Sequence, residues 1–395
     1  MRLVILTNLY PPFVRGGAEY LAHQLALELK RQKHQVIVIT TAPFKSLRRF
    51  TPELSEEDGI RVYRFWPLNL YHYLTAERIP KALRLLWQLI NLFNWPAAYI
   101  VGRLLKRERA QLVVSFNLMG LSYLLPRQIA RLGLRHIHTL HDVQLLHPSG
   151  LFRWGQPLPK LPMRGYQAIT RWLFEPVGTI VSPSAWLAKE HQSRGFFRHS
   201  LVRVIPNPAP PLATATPAAK VARPLFKLVY VGQFAEHKGV AWLVRTLKGF
   251  KRRDFELHLM PSGQKPDVSQ VQEIIKGDSR FVLHHLTTQA EVDDALLSSH
   301  LTLVPSLCYE NSPTTITKSF GAGTPVLAAE LGGIPELVQP GTTGWLFRPG
   351  DEWDFLDKLT WCLDHPAELL AAGQAASQAF HNRTLENYAR ELVKL

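Results

Sequence analysis

Short apolar runs alternate with helix-like runs along almost all of this 395-residue chain. That alternation restricts the fold strongly. Parallel strands need a crossover between them, and a helix is the usual crossover, so the pattern predicts parallel sheets covered by helices. Strands are expected at 3–6, 36–40, 60–65, 112–116, 136–140, 179–181 and 202–205, with a helix over 19–30. The run from Pro206-Asn207-Pro208 to Lys220 has no periodicity and reads as a linker. A second strand series follows at 227–231, 256–260, 281–284, 301–304 and 325–328, and further helices are expected over 353–370 and 385–395. The chain therefore reads as α/β: two doubly wound, Rossmann-like domains at 1–207 and 225–375 with a ligand between them, and a closing segment at 376–395.

Composition narrows the class. Apolar residues make up 46% and charged residues 19%, enough for cores and too few charges for disorder. Two cysteines, Cys308 and Cys362, form no disulfide framework and suggest a reducing, cytoplasmic setting. The opening residues read as a strand rather than a secretory leader. The most apolar region, 83–105, is broken by Arg84, Gln88, Asn91, Asn94, Pro96 and Arg103, so no membrane span is expected. The formal charge of +15 favours anionic partners. No zinc-ligand set, aromatic RNA-binding motif or basic zipper points to nucleic acid, which leaves acidic lipid, sugar phosphates or a simply solvated surface.

The segment 78–109 carries Leu85, Leu86, Leu89, Ile90 and Phe93 at helical spacing, with Trp87 and Trp95 among them and basic residues at both ends. Two readings stand: a helix lying on an anionic membrane, and a helix packed on the first sheet with a solvated basic rim.

The densest chemistry lies between 301 and 338. A strand runs into a loop holding Glu310. Ser312-Pro313 then suits a helix start, serine as cap and proline in the first helical position. The helix carries Thr314, Thr315, Thr317 and Lys318, and Gly332-Gly333 follows the next strand. An acid at a strand's carboxyl end beside a helix start suits a ligand with hydroxyls and phosphates. Elsewhere, Gly16-Gly17 follows the first strand and opens a helix. His136 and His138 share a strand face without a third metal ligand, so no metal is expected. His141-Asp142 ends that strand. Ser184 suits a helix cap, and Lys238-Gly239 follows the first strand of the second domain.

The segments PSLCYENSP, GAGTPVLA and GGIPELV resemble the donor-site signature of the GT-B retaining glycosyltransferases, family 4. Gly16-Gly17, His141-Asp142 and Lys238-Gly239 are similar to the family's other motifs. The resemblance implies a GT-B fold, two facing domains around a cleft, with the helical segment at 376–395 crossing back to the first domain. It also implies retaining transfer of a hexose-type sugar from a nucleotide-diphosphate sugar to a glycan or lipid-linked acceptor, in polysaccharide or glycolipid synthesis, peripheral at the inner face of a membrane. Lys238 would grip the diphosphate and Glu310 the sugar ring. His141 would sit near the reacting carbon, and Asp142 and Ser182 on the acceptor side. Gly16, Gly17, Gln233, Asn311, Ser312, Pro313, Thr314, Thr315 and Lys318 would line the donor, with no cofactor or metal. Two positions depart from the family. Gln233 replaces an arginine, and Lys318 replaces a second glutamate that accepts from the ribose diol. Either Lys318 compensates by reaching the phosphates, or the chain is a degenerate relative that binds a glycan, lipid or partner without catalysis. A GT-B epimerase is a third reading, for which no paired acid and base is visible.

Overall fold

A computed structural model describes residues 1–14, 16–44, 51–78, 80–156, 160–209, 225–262, 267–285, 288–381 and 383–395. The chain forms two compact units. One comprises 1–151, 157–206 and 385–395, the other 152–156 and 207–384. The first unit thus gives up a short internal segment to the second, and the helical tail changes unit at Leu385 rather than at 376. Most of the expected linker lies outside the described residues.

The first unit runs β1 (Arg2–Leu6), α1 (Gly17–Arg31), β2 (Gln35–Thr41), β3 (Glu53–Glu57), β4 (Ile60–Phe65), α2 (Lys81–Leu92), α3 (Trp95–Arg107), β5 (Leu112–Ser115), α4 (Leu125–Arg131), β6 (Arg135–Thr139), α5 (Lys160–Phe174), β7 (Thr179–Ser182), α6 (Ala185–Gln192) and β8 (Leu201–Val204). Its sheet has the order β3-β4-β2-β1-β5-β6-β7-β8, parallel except for β3. Leu3, Val4, Ile5 and Leu6 are all fully buried. Both sheet faces are therefore covered, which is why the strands read as unbroken apolar runs. β3 (ELSEE) was not expected: it is a polar edge strand that pairs antiparallel with β4.

The second unit runs β9 (Phe226–Gly232), α7 (Val240–Gly249), β10 (Phe255–Pro261), α8 (Ser269–Ile275), β11 (Phe281–Leu283), α9 (Gln289–Ser298), β12 (Leu301–Val304), α10 (Thr314–Gly321), β13 (Val326–Ala329), α11 (Ile334–Leu337), β14 (Gly344–Phe347), α12 (Glu352–Asp364) and α13 (Pro366–His381). The strand order is β11-β10-β9-β12-β13-β14, all parallel. The last helix, α14 (Leu385–Lys394), belongs to the first unit. There Tyr388, Ala389 and Leu392 are buried in the α1 core, and Arg31 pairs with Glu386 at 2.9 Å.

Each sheet reverses its strand order once, between β1 and β5 in the first unit and between β9 and β12 in the second. At such a reversal the neighbouring crossovers diverge and leave a crevice beyond the strand ends, where open α/β sheets bind ligands. The Gly16-Gly17 turn follows β1. The loops bearing Lys238 and Glu310 follow β9 and β12.

Candidate functional site

In the second unit, the β9 loop turns through a short 3-10 segment, Glu236–Lys238, and ends at Gly239. Gly239 has φ +75°, and a Cβ there would sit 1.9 Å from the Pro305 carbonyl oxygen. Only glycine lets the two loops close up. The Leu307 amide then bonds the His237 carbonyl at 2.9 Å. This contact brings Lys238 Nζ to 2.5 Å from Glu310 Oε1. The same oxygen accepts from Ser306 Oγ at 3.1 Å. Burial favours a neutral Glu310, but Lys238, Ser306 and His237 outweigh it and hold the carboxyl below its ordinary range. Burial likewise opposes the Lys238 ammonium, and the Glu310 charge overcomes it. Both groups are thus ionised at neutral pH. Beside them, burial and then the Glu310 charge push the Cys308 thiol up to about 12, so it is an inert packing group.

Behind Glu310, Gly332 has φ +66°, and a Cβ there would lie 2.2 Å from the Glu310 carbonyl oxygen. The Gly333 amide donates to that oxygen at 2.6 Å. The paired glycines therefore form the seat on which the Glu310 backbone rests. In front, α10 starts at Thr314 with Pro313 in the cap position and no side-chain cap. An uncapped helix start presents free amides and positive potential toward the loop.

In the first unit, a small pocket is lined by Phe116, Tyr123, His138, His141, Asp142 and Phe174, among others. His141 stacks on Phe116, with ring centres 5.1 Å apart, and its Nε2 lies 3.0 Å from Thr139 Oγ1. Burial pulls its imidazole down to about 4, so it is neutral at pH 7 and can exchange hydrogen bonds with hydroxyls. Asp142 Oδ1 accepts from the Gln144 amide at 2.7 Å. Burial raises Asp142 to about 7; the Gln144 bond opposes that rise and the Glu19 charge adds to it. His136 and His138 share one partner, Ser115 Oγ, at 2.7 and 2.8 Å. Among the described residues, no group of three or more His, Cys, Asp or Glu is gathered to hold a metal.

The sequence matches the glycosyl transferase 4-like domain over residues 16–208 and the glycosyl transferases group 1 domain over 226–365. Together these span most of both units. The chain belongs to the group 1 glycosyl transferases, with a GT-B fold. Among curated relatives, an uncharacterized 42.6 kDa protein in the cps region of Klebsiella pneumoniae is 23% identical over 85% of this chain and 87% of that protein. Among solved structures, sucrose-phosphate synthase from Thermosynechococcus elongatus superimposes with a TM-score of 0.77 at 17% identity, covering 100% of this chain and 97% of that one. The Anabaena protein Alr3699/HepE, in complex with UDP and glucose, superimposes at 0.68 and 16% identity, over 100% and 98%.

Several expected site residues of this glycosyltransferase stand differently from the sequence reading. Ser312 does not cap α10, which begins after Pro313; its hydroxyl is buried without a hydrogen-bond partner. Pro313 is the cap and not the first helical residue. The Thr315 hydroxyl donates to the Val231 carbonyl at 3.1 Å, so it ties α10 to β9. Thr314 and Gln233 are exposed, and Asn311 is half-buried. Lys318 does not reach toward phosphates: its Nζ lies 3.2 Å from Asp293 Oδ1, on a fully buried carboxylate of α9. The lysine neutralises an internal charge, which accounts for a cation at this position. The Gly16 amide is taken by Glu19 Oε2 at 2.9 Å, so it is not open to a phosphate, while Gly17 begins α1. Ser182 is fully buried and donates to the Ser184 carbonyl at 2.7 Å, which removes it from any acceptor surface. Ser184 caps α6 as expected, accepting from the Leu187 amide at 3.2 Å.

Arg153 was missed. The segment 152–156 pairs with the Glu310 loop: the Trp154 amide bonds the Leu307 carbonyl at 3.0 Å, and the Tyr309 amide bonds the Phe152 carbonyl at 2.9 Å. Arg153, bridged to Cys308, thereby becomes a second cation of the site, 3.1 Å from Glu236. It follows a strandless loop in the sequence, and no local signal ties it to 308.

Proposed function

We propose that this glycosyltransferase moves a sugar, with retention, from a nucleoside diphosphate sugar to a glycan or lipid-linked acceptor. The observation that carries the reading is the Lys238–Glu310 pair at the second sheet's reversal point, beside the uncapped start of α10. A diphosphate suits the cations and amides there, and a carboxylate suits sugar hydroxyls. The Anabaena structure, with UDP and glucose bound, supports a nucleotide donor.

Lys238, Arg153 and the α10 amides stabilise charge on the leaving diphosphate as its bond to the anomeric carbon breaks. Glu310 accepts from the sugar hydroxyls and fixes the ring. His141, neutral, can exchange hydrogen bonds with sugar hydroxyls, and Asp142 orients the acceptor. The acceptor oxygen bonds the anomeric carbon on the face the phosphate leaves, and its proton passes to a phosphate oxygen. Protein cations supply the positive charge, so no metal or cofactor has a role here.

The test is turnover with a panel of nucleotide sugars and oligosaccharide acceptors, following nucleoside diphosphate release and the product anomer by NMR. Release with retained configuration is expected. Inversion would refute the retaining step. Glycan binding without release from any donor would favour the non-catalytic reading.

A further inference from the structure

Thr139 ends β6, and His141 lies two residues beyond it. The Thr139 hydroxyl is buried between the Ser115 carbonyl oxygen and His141 Nε2, each 3.0 Å away. A hydroxyl has one proton to give, and a carbonyl oxygen can only accept. With no proton between them, the two oxygens would face each other lone pair to lone pair inside the fold, at the cost of an unmade buried hydrogen bond. The proton therefore lies toward Ser115. The Thr139 oxygen is left to accept, and the group placed to donate to it is His141 Nε2–H. Burial holds the His141 imidazole at about 4, so at pH 7 the ring carries a single proton. That proton sits on Nε2, and Nδ1 keeps its lone pair.

The surroundings hold this arrangement in place. Ser115 lies in β5, opposite His138 in the parallel ladder with β6, so the sheet fixes its carbonyl. The Ser115 hydroxyl is engaged by His136 and His138 and does not compete for the Thr139 proton. Thr139 is β-branched, which restricts its rotation. Phe116, the next residue after Ser115, stacks on the His141 ring with the two planes 11° from parallel. The phenyl ring sets the imidazole plane, and the Thr139 bond sets which edge of the imidazole turns toward β5. We propose that Thr139 is a positioning residue: it locks His141 in the Nε2–H tautomer, so that the histidine accepts a hydrogen bond from a substrate hydroxyl at Nδ1 and does not donate one. The contact with substrate rests on the transferase reading above; the tautomer does not. Such a contact selects for a hydroxyl at the position it reaches. An ether oxygen, a carbonyl or a fluorine there has no proton to give and would be rejected.

The test is nitrogen NMR of the full chain with isotope-labelled histidine, recorded at neutral pH without ligand. His141 is assigned by its loss in His141→Gln. In the wild type, Nε2 is expected in the protonated range and Nδ1 in the unprotonated range, as a single tautomer. Thr139→Val keeps the branched shape and removes the acceptor, so both resonances should move toward the average of two tautomers. Thr139→Ser should keep the wild-type values. With a donor and acceptor that are turned over, kcat/KM should fall roughly three- to tenfold in Thr139→Val, the worth of one neutral hydrogen bond, and recover in Thr139→Ser. A wild-type His141 protonated on Nδ1, or already a mixture of tautomers, overturns the proposal whether or not the valine variant folds. An unchanged His141 spectrum in Thr139→Val overturns it too, and a shifted spectrum with undiminished kcat/KM overturns the substrate contact. The spectra need no turnover, so a chain that transfers no sugar refutes the transferase reading while the tautomer is still decided by NMR.

Discussion

Lys238 and Glu310 each keep the other charged, and the pair is arranged before any ligand arrives. Removing the lysine leaves a largely buried carboxylate uncompensated. Lys238→Ala should cost about 1.5–3 kcal/mol of stability by urea unfolding and lower kcat by about 10²–10³-fold. Asp142 works in the opposite direction. Its folded pKa of about 7 lies above the unfolded value, so the group favours the fold at low pH and loses that contribution as pH rises through 7. Asp142→Asn should therefore raise stability by about 1–2 kcal/mol above pH 7, since the carboxyl keeps part of its water. The melting curve should gain nothing below pH 4, and any step in kcat/KM near pH 7 should vanish. Lys318 shows what a single residue conceals. Its partner, Asp293, sits on another helix, so no local pattern announces that the lysine is already engaged. Arg153 is hidden for the same reason, its place set by a strand bridge across the fold.

At the level of elements, the seat beneath Glu310 is the sharpest case. Gly332→Ala would force a positive φ on alanine and drive its Cβ into the Glu310 backbone. A loss of about 3 kcal/mol or more is expected by urea unfolding, with activity falling because Glu310 shifts. Most strands were legible because both sheet faces are covered, which leaves uninterrupted apolar runs such as LVIL and VIVI. The strands that were not legible lack that signal. β3 is polar at an edge and exists through its ladder with β4, and β14 is four residues after a turn. The α10 start was misplaced by one residue because local chemistry favours a serine cap, whereas the glycine seat sets where the loop ends. The 78–109 region read as one helix, yet Asn94 caps a second one inside it. Its outward leucines could not be told from core leucines by periodicity alone.

Across the whole molecule, buried histidines are concentrated in the first unit. Burial lowers His136 to about 3, His72 and His191 to about 4, and His138 well below its usual value. Their folded pKa values lie below the unfolded value, so their contribution is complete above about pH 6.5. It is lost as pH falls toward the folded values. Each costs about 1.4 kcal/mol per pH unit in that window. His136, His72 and His191 together would remove most of a stability of about 5–15 kcal/mol by about pH 4, and His138 acts in the same direction. Acid titration by near-ultraviolet dichroism should show the first unit unfolding before the second.

The claim on which the rest depends is that Lys238 and Glu310 hold a nucleotide-sugar diphosphate. Thermal shift of the wild-type chain against UDP-, GDP- and ADP-sugars tests it directly. At about one hundred times Kd, a true donor should stabilise the fold by about 2.7 kcal/mol, and Lys238→Ala should abolish the shift. No shift with any nucleotide sugar, or an equal shift in Lys238→Ala, would contradict it.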